Sequence, residues 1–344
     1  MERWTEGRTY PQREFRISEF QIPARKLLIS VRIVDLVVTP WAGKCDSVGG
    51  VCDATCFRVT SHLSSPAMNQ SRTVEQQPNA SGFAKAGELI EITGAGNAQL
   101  TLHDRVLLNL LYEHAGAKIA DDVEHEVALA PMRHKIGAHS SNDRIRDSLK
   151  RLAAVVVEVA ETDGRGKPAI RLTKLIDEPQ ITADETDPAA ILRYSMTKTM
   201  RRILGNSGRW GRIKAEVICE MTSKYAVALY ELVQLRANLE KSVDTIKIDR
   251  FRQLLGVPEG KLTRGPDFVR RVIEPAELEV NALSDIGVKL EPVRKGARGA
   301  ITAVSLAWWR KRDDEYRSVL RERQRPKRGR LARLRGSAEE IAPQ

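Results

Sequence analysis

The chain has 344 residues, with 56 Lys and Arg against 45 Asp and Glu and a formal net charge of +11 at pH 7. That length suits two domains with extensions, since domains commonly contain roughly 100–200 residues. No segment approaches the ~18–20 uninterrupted apolar residues of a membrane-spanning helix, so we expect a cytoplasmic protein with no membrane partner. The excess of cations favours a polyanionic partner.

The first 80 residues are interpreted as an irregular N-terminal extension. They lead into the polar run SSPAMNQSRTVEQQPNASG, and Met68 within that run is a candidate translation start. The alternative is a genuine, loosely ordered extension. The spacing of Cys45, Cys52 and Cys56 matches no common zinc pattern, so we expect no metal there.

Residues 90–216 are predicted to form one domain, which begins with the order helix, helix, β-hairpin. A first helix begins after Thr101, a good N-cap residue, and ends at Gly116. A later helix begins at Ser141 or Asn142. It buries apolar residues at helical spacing, namely Ile145, Leu149 and Leu152. Alternating valines at 155–159 and the turn sequence TDGRGK then predict a hairpin, which completes a winged-helix pattern.

The end of this domain has a different composition. The acidic stretch Asp177–Pro188 is predicted to be a loop. The sequence ILRYSMTKTMRRILGNSGRWGRI then predicts a strand and a short helix that complete the domain.

Residues 217–312 repeat the order and are predicted to form a second winged helix. One helix is capped by Thr222 and another ends at Gly256. The segment Leu262–Leu283 supplies the helix before the hairpin, and the hairpin turn is the basic sequence RKGARG. The predicted fold is therefore α+β: two tandem winged-helix domains (helix-turn-helix plus β-hairpin wing), a disordered N-terminal extension and a basic C-terminal tail at 313–344.

In each domain, the helix before the hairpin has a basic free face, and the hairpin tip is basic as well. A helix fits the DNA major groove, where Arg can donate two hydrogen bonds to guanine. Polar side chains at a helix N-terminus suit a phosphate. The candidate DNA-binding residues are Ser141, Asn142, Arg144, Arg146, Lys150, Arg151, Arg165 and Lys167 in the first domain and Arg270, Arg271, Lys295 and Arg298 in the second.

Pro275 interrupts the second of these helices. Because proline has no N–H, the hydrogen bond to the Arg271 carbonyl is lost, which predicts a kink or a restart. The half before Pro275 presents the arginines. The half after it carries Glu277 and Glu279 and is not expected to lie along DNA.

Several of these segments resemble the Rep superfamily of plasmid replication initiators, the iteron-binding Rep proteins. The similarity to their C-terminal winged helix lies in TSKYAVALYELV, FRQLLGVPEGK, PDFVRRVIEPAELEVNALSDIGV and EPVRKGARGAITAVSLAWW. ILRYSMTKTMRRIL and RWGRI resemble the strand and helix that close their N-terminal domain. The match is specific over residues 222–309 and looser over 100–213. The sequence departs from the family at Leu262–Gly265, where an aromatic residue is expected near the helix entry.

The resemblance implies a protein that binds direct repeats, called iterons, in double-stranded origin DNA. Such proteins help to melt the origin, recruit the host replicative helicase and initiator, and often repress their own gene as dimers in equilibrium with monomers. It assigns Phe268–Leu283 as the second recognition helix, with Arg270 and Arg271 as candidate contacts.

Enzymatic activity and a cofactor are not expected. The chain has no G-x-x-x-x-G-K-[ST] loop, and GAGN at Gly94–Asn97 lacks the third glycine of a dinucleotide-binding fingerprint. Two non-enzymatic alternatives stay open. A winged-helix transcription repressor without origin activity would bind one inverted repeat. An interaction protein that binds RNA or an acidic partner would show no preference for repeated duplex sites.

Overall fold

The computed structural model describes residues 82–137, 141–184, 187, 189–296 and 299–337. The predicted N-terminal extension, with Met68 and the three clustered cysteines, lies outside the described residues. Within those ranges, no helix has the length and apolar content needed to cross a bilayer.

The first half of the described chain contains six short to medium helices and seven strands. The helices are α1 (Gly87–Ile90), α2 (Gly94–Gln99), α3 (Leu102–Ala115), α4 (Leu129–Ile136), α5 (Asn142–Ala154) and α6 (Lys198–Asn206), with a 3-10 turn at Gly116–Ala120. The strands are β1 (Phe83–Ala86), β2 (His125–Ala128), β3 (Val156–Thr162), β4 (Pro168–Lys174), β5 (Asp177–Ile181), β6 (Ile191–Ser195) and β7 (Trp210–Ile213). All pairings are antiparallel: β1 with β7, β3 with β4, and β6 between β2 and β5.

The helix starts of this half follow from local capping. The Thr101 hydroxyl accepts the N–H of Asp104, and the Asp104 carboxylate accepts the N–H of Thr101, so α3 opens with a capping box. Ser141 caps α5 by accepting the N–H of Arg144. The apolar residues predicted to face inward on α5 are buried, at Ile145, Leu149 and Leu152. The predicted helix and hairpin are confirmed.

The prediction of a loop at Asp177–Pro188 is wrong at its start, because Asp177–Ile181 is strand β5. This strand lies at the edge of its sheet, where it pairs with β6. A bulge between Asp177 and Gln180 accommodates Pro179 and Glu178, whose φ is +37°. Proline and irregular backbone are tolerated at sheet edges and bulges, so the local composition conceals the strand.

The second half contributes further helices, a three-stranded sheet and a helix divided by a π-helical turn. The helices are α7 (Ala215–Glu220), α8 (Lys224–Arg236), α9 (Ile248–Leu254), α10 (Gly265–Phe268), a π-helical turn (Val269–Ile273) and α11 (Glu274–Leu283). The strands are β8 (Val243–Lys247), β9 (Ile286–Arg294) and β10 (Ile301–Arg310), with β10 in the middle.

The predicted irregularity at Pro275 is present as a π-helical turn. The N–H of Glu274 bonds to the carbonyl of Val269, five residues earlier. Since Pro275 has no N–H for the Arg271 carbonyl, the backbone widens before it and α11 begins anew. Phe268, directly before this turn, and Val272 and Ile273, within it, are buried in the core.

Thr222 does not cap α8 as the sequence predicts. The Ser223 hydroxyl accepts the N–H of Tyr225 at 3.2 Å and is the N-cap. Thr222 instead donates its hydroxyl to the carboxylate of Glu279, which also accepts the N–H groups of Thr222 and Ser223 at 2.9 and 3.1 Å. Glu279 is fully buried, so its carboxylate binds the residues before α8 inside the core.

The basic tail is folded over most of its length. Helices α12 (Asp313–Gln324) and α13 (Arg330–Leu334) pack against α11. Val319 and Arg330 are buried there. From its charge count, the C-terminal tail is expected to be solvated. That count does not show which of its Lys and Arg side chains pair with carboxylates in the folded chain.

Helix α8 packs against the first half of the described chain through a polar, buried contact. Lys85 of β1 lies 2.8 Å from Glu231 of α8, and the Asn109 amide of α3 donates to the same carboxylate oxygen at 2.6 Å. A second contact joins Asn97 of α2, whose amide donates to the Gln253 carbonyl of α9 at 2.7 Å. Buried polar groups with satisfied partners fix geometry, so these contacts hold α8 and α9 against the first half of the described chain.

Candidate nucleic-acid interface

Helix α5 presents cations at its surface, and two of them form surface ion pairs. Arg144 and Lys150 are exposed and Arg146 is half-buried. Arg146 pairs with Asp143 at 2.6 Å, and Lys150 lies 3.6 Å from Asp147. Exposed pairs of this kind contribute only about 0–1 kcal/mol, so a phosphate can compete for these cations.

Arg151 has a structural role that the sequence did not indicate, whereas Ser141 is the helix cap that the sequence predicted. The Arg151 guanidinium donates to the fully buried Asp104 carboxylate at 2.9–3.1 Å. Burial alone raises the pKa of Asp104, but the hydrogen bonds from Arg151 and Thr101 outweigh it and hold this pKa below its usual range. Asn142 is only 2% exposed, and Ser141 is already engaged as the cap.

The first wing carries its cations on a tightly bonded turn. Arg165 and Lys167 are exposed between β3 and β4. The Asp163 carboxylate accepts the backbone N–H of both residues, at 2.8 and 2.9 Å. These hydrogen bonds hold the turn, while both side chains stay exposed.

The helix that is divided by the π-helical turn presents arginines near its start. Arg271 is exposed and forms no ion pair with any residue that the structure describes. Arg270 is exposed as well and lies 3.2 Å from Asp267. Sequence analysis missed Arg264, whose side chain is 83% exposed at the N-cap of α10. Its position directly before Gly-Pro-Asp, a helix-start signal, could have identified it.

The second wing begins beside this helix entry. A Cβ placed on Gly265 would lie 3.5 Å from Ile301 and 3.6 Å from the Arg294 guanidinium, so the base of the hairpin adjoins the start of α10. Lys295 is exposed at the tip. Arg298, also predicted to bind DNA, lies outside the described residues. Helix and wing thus border one surface in this half of the protein.

Comparison with known proteins identifies both halves. Residues 83–234 match the family model described as "Initiator Replication protein, WH1", and residues 247–308 match "Initiator Rep protein, WH2". The chain belongs to the initiator Rep protein family. The tandem winged-helix fold predicted from the sequence is confirmed, and helices α12 and α13 of this Rep protein lie outside both matched ranges.

Two solved structures are similar to this Rep protein. One is the Pi initiator protein in complex with iteron DNA, with 17% sequence identity and a TM-score of 0.50, covering 67% of this chain and 98% of that chain. The other comprises domains 2 and 3 of RctB, with 12% identity and a TM-score of 0.36, covering 65% of this chain and 85% of that chain. No curated protein matches the Rep protein significantly.

Proposed function

We propose that this Rep protein initiates plasmid replication by binding direct repeats in double-stranded origin DNA. The observation that carries the proposal is the repeated pairing of an exposed basic helix with a basic wing tip, once in each winged helix. The structural similarity to an initiator whose crystal contains iteron DNA supports the same reading of the fold.

The two recognition helices divide the contacts in this proposal. Arg270 and Arg271 enter the major groove with the start of the second recognition helix, where a bidentate arginine can read guanine. The cations of α5 and both wing tips contact phosphates, which positions the protein without reading sequence. Arg151 is an exception among the candidates, because its guanidinium is paired with the buried Asp104 carboxylate of α3.

The binding free energy is spent on deforming origin DNA in this mechanism. Two helices held by one buried interface require the DNA to follow their spacing, and deformation of the duplex lowers the barrier to opening it. We further propose recruitment of the host helicase and initiator, autorepression, a monomer–dimer equilibrium and a cytoplasmic location. The domain division at residues 216 and 217 is part of this proposal, with β1 added to the first domain because it pairs with β7.

DNase footprinting of the purified full chain on the DNA that flanks its gene tests the function. A regular ladder of protection over direct repeats supports an origin-binding initiator. Protection of a single inverted repeat over the promoter favours the repressor, since that symmetry matches a dimer. Absence of protection at moderate salt refutes both.

A further inference from the structure

The C-terminal helix pair α12–α13 ends beside the second recognition helix. The Arg335 guanidinium, directly after α13, donates to the Glu274 carboxylate at 2.8 Å. Both side chains are partly exposed, at 39% and 40%. Glu274 follows Arg270 by about one helical turn, so the two side chains project from the same side of the helix. The ion pair is therefore on the face that carries the candidate DNA contacts.

A lone carboxylate in this position would oppose DNA binding. Phosphates approaching Arg270 or Arg271 would meet the negative charge of Glu274, and like charges brought together at an interface cost affinity. Arg335 supplies the compensating positive charge. It comes from a part of the chain that lies outside both ranges matched by the family models.

A buried ionic cluster fixes the position of this arginine. Arg330 of α13 is fully buried and pairs with Glu220 at 3.0 Å and with Glu322 at 3.3 Å. Arg333 donates to the same Glu322 carboxylate at 2.9 Å. Because Glu220 belongs to α7, helices α12 and α13 are attached to α7 as well as to α11. Arg335 is thus presented by a docked helix instead of a freely moving tail.

We propose that Arg335 is a supporting residue of the DNA-binding surface, which neutralises Glu274 so that the exposed face of the recognition helix can approach the phosphate backbone. This inference rests on the proposed function. It also gives the α12–α13 pair a task in DNA binding that does not depend on its total charge.

Four variants of the full chain test the inference, with a duplex carrying the repeats protected in the footprint as the probe. Arg335→Ala should weaken binding about tenfold, whereas Arg335→Lys, which keeps the charge, should bind as the wild type does. Glu274→Gln should bind at least as well as the wild type. Combining Arg335→Ala with Glu274→Gln should restore the affinity of Glu274→Gln alone. Thermal unfolding of each variant checks that it is folded.

Arg317→Ala is the matched control, since Arg317 is exposed on the solvent side of α12. It removes the same charge from the same segment and should change the affinity less than about twofold. The inference is overturned if Arg335→Ala behaves like this control, or if its loss persists undiminished beside Glu274→Gln. A wild-type chain that binds no duplex refutes the proposed function itself, whereas intact wild-type binding with an unaffected Arg335→Ala variant refutes only the inference.

Discussion

Lys85 and Glu231 form a buried ion pair that joins strand β1 to helix α8, with 2.8 Å between Lys85 Nζ and Glu231 Oε1. Each side chain is 4% exposed, and Asn109 donates to the same carboxylate. Glu231→Ala should lower the free energy of unfolding by about 3–5 kcal/mol, because Lys85 is left without its counter-charge. Urea unfolding measures this loss.

Glu113→Ala is the control for that experiment. Glu113 pairs with Lys135 at 2.7 Å in an exposed position, so its loss should cost at most ~1 kcal/mol. Equal effects of the two substitutions would show that Lys85 finds water or another partner when Glu231 is removed.

Arg271 is predicted to distinguish specific from non-specific DNA. Arg271→Ala should weaken binding to the protected repeat by about 1–3 kcal/mol more than binding to a scrambled duplex, since a base contact contributes discrimination of that size. Fluorescence anisotropy at one salt concentration compares the two duplexes. Parallel losses on both would assign Arg271 to a phosphate.

Arg151 should matter more for stability than its neighbour on α5. Arg151→Ala leaves the fully buried Asp104 carboxylate without its main partner and should destabilise the protein by about 1–3 kcal/mol. Arg144→Ala changes an exposed residue on the same helix and should stay within ~0.5 kcal/mol of the wild type. Differential scanning calorimetry compares the melting temperatures of the two variants. Similar melting temperatures would contradict the assigned role of Arg151.

Lys224 should make stability depend on pH in the alkaline range. Burial, reinforced by the charge of Arg105, lowers the pKa of Lys224 to about 8, although its ammonium donates to the Ala98 and Leu100 carbonyls. The unfolded chain therefore binds more protons between pH ~8 and ~10.5, and the free energy of unfolding rises with pH there.

The expected rise from this residue is roughly 1 kcal/mol between pH ~8 and ~9.5, after a discount for its partial exposure. Lys224→Met should flatten the curve relative to the wild type in urea unfolding. The comparison cancels the contribution of Lys311, whose pKa burial likewise lowers to about 8. Curves of the same slope would show that Lys224 is solvated in the folded protein.

Deletion of residues 313–344 should destabilise the protein instead of only lowering the salt dependence of DNA binding. The deletion leaves Glu220 without its buried partner Arg330 and uncovers the surface under Val319. We expect a melting temperature lower by several degrees, on the order of 5 °C for ~2 kcal/mol in a protein of this size. An unchanged melting temperature would contradict the docking of α12 and α13.

The amino-acid sequence alone determined the local features of this protein. Capping at Thr101 and Ser141, the buried stripe of α5 and the break at Pro275 depend on residues within one or two helical turns, so their spacing predicts them. The same holds for the basic helix faces. The segments that resemble the Rep initiators are local as well, and they sufficed to indicate the family.

Only the tertiary structure decided which charged and polar groups meet across long sequence separations. Arg151 turns to Asp104, Thr222 to Glu279 and Arg330 to Glu220, over separations of 47, 57 and 110 residues. Strand β5 likewise exists because β6 pairs with it. Burial removes water as a partner for a polar group, so its energy depends on what the fold places beside it. The periodicity of the sequence does not show which distant residue becomes the partner of each buried polar group.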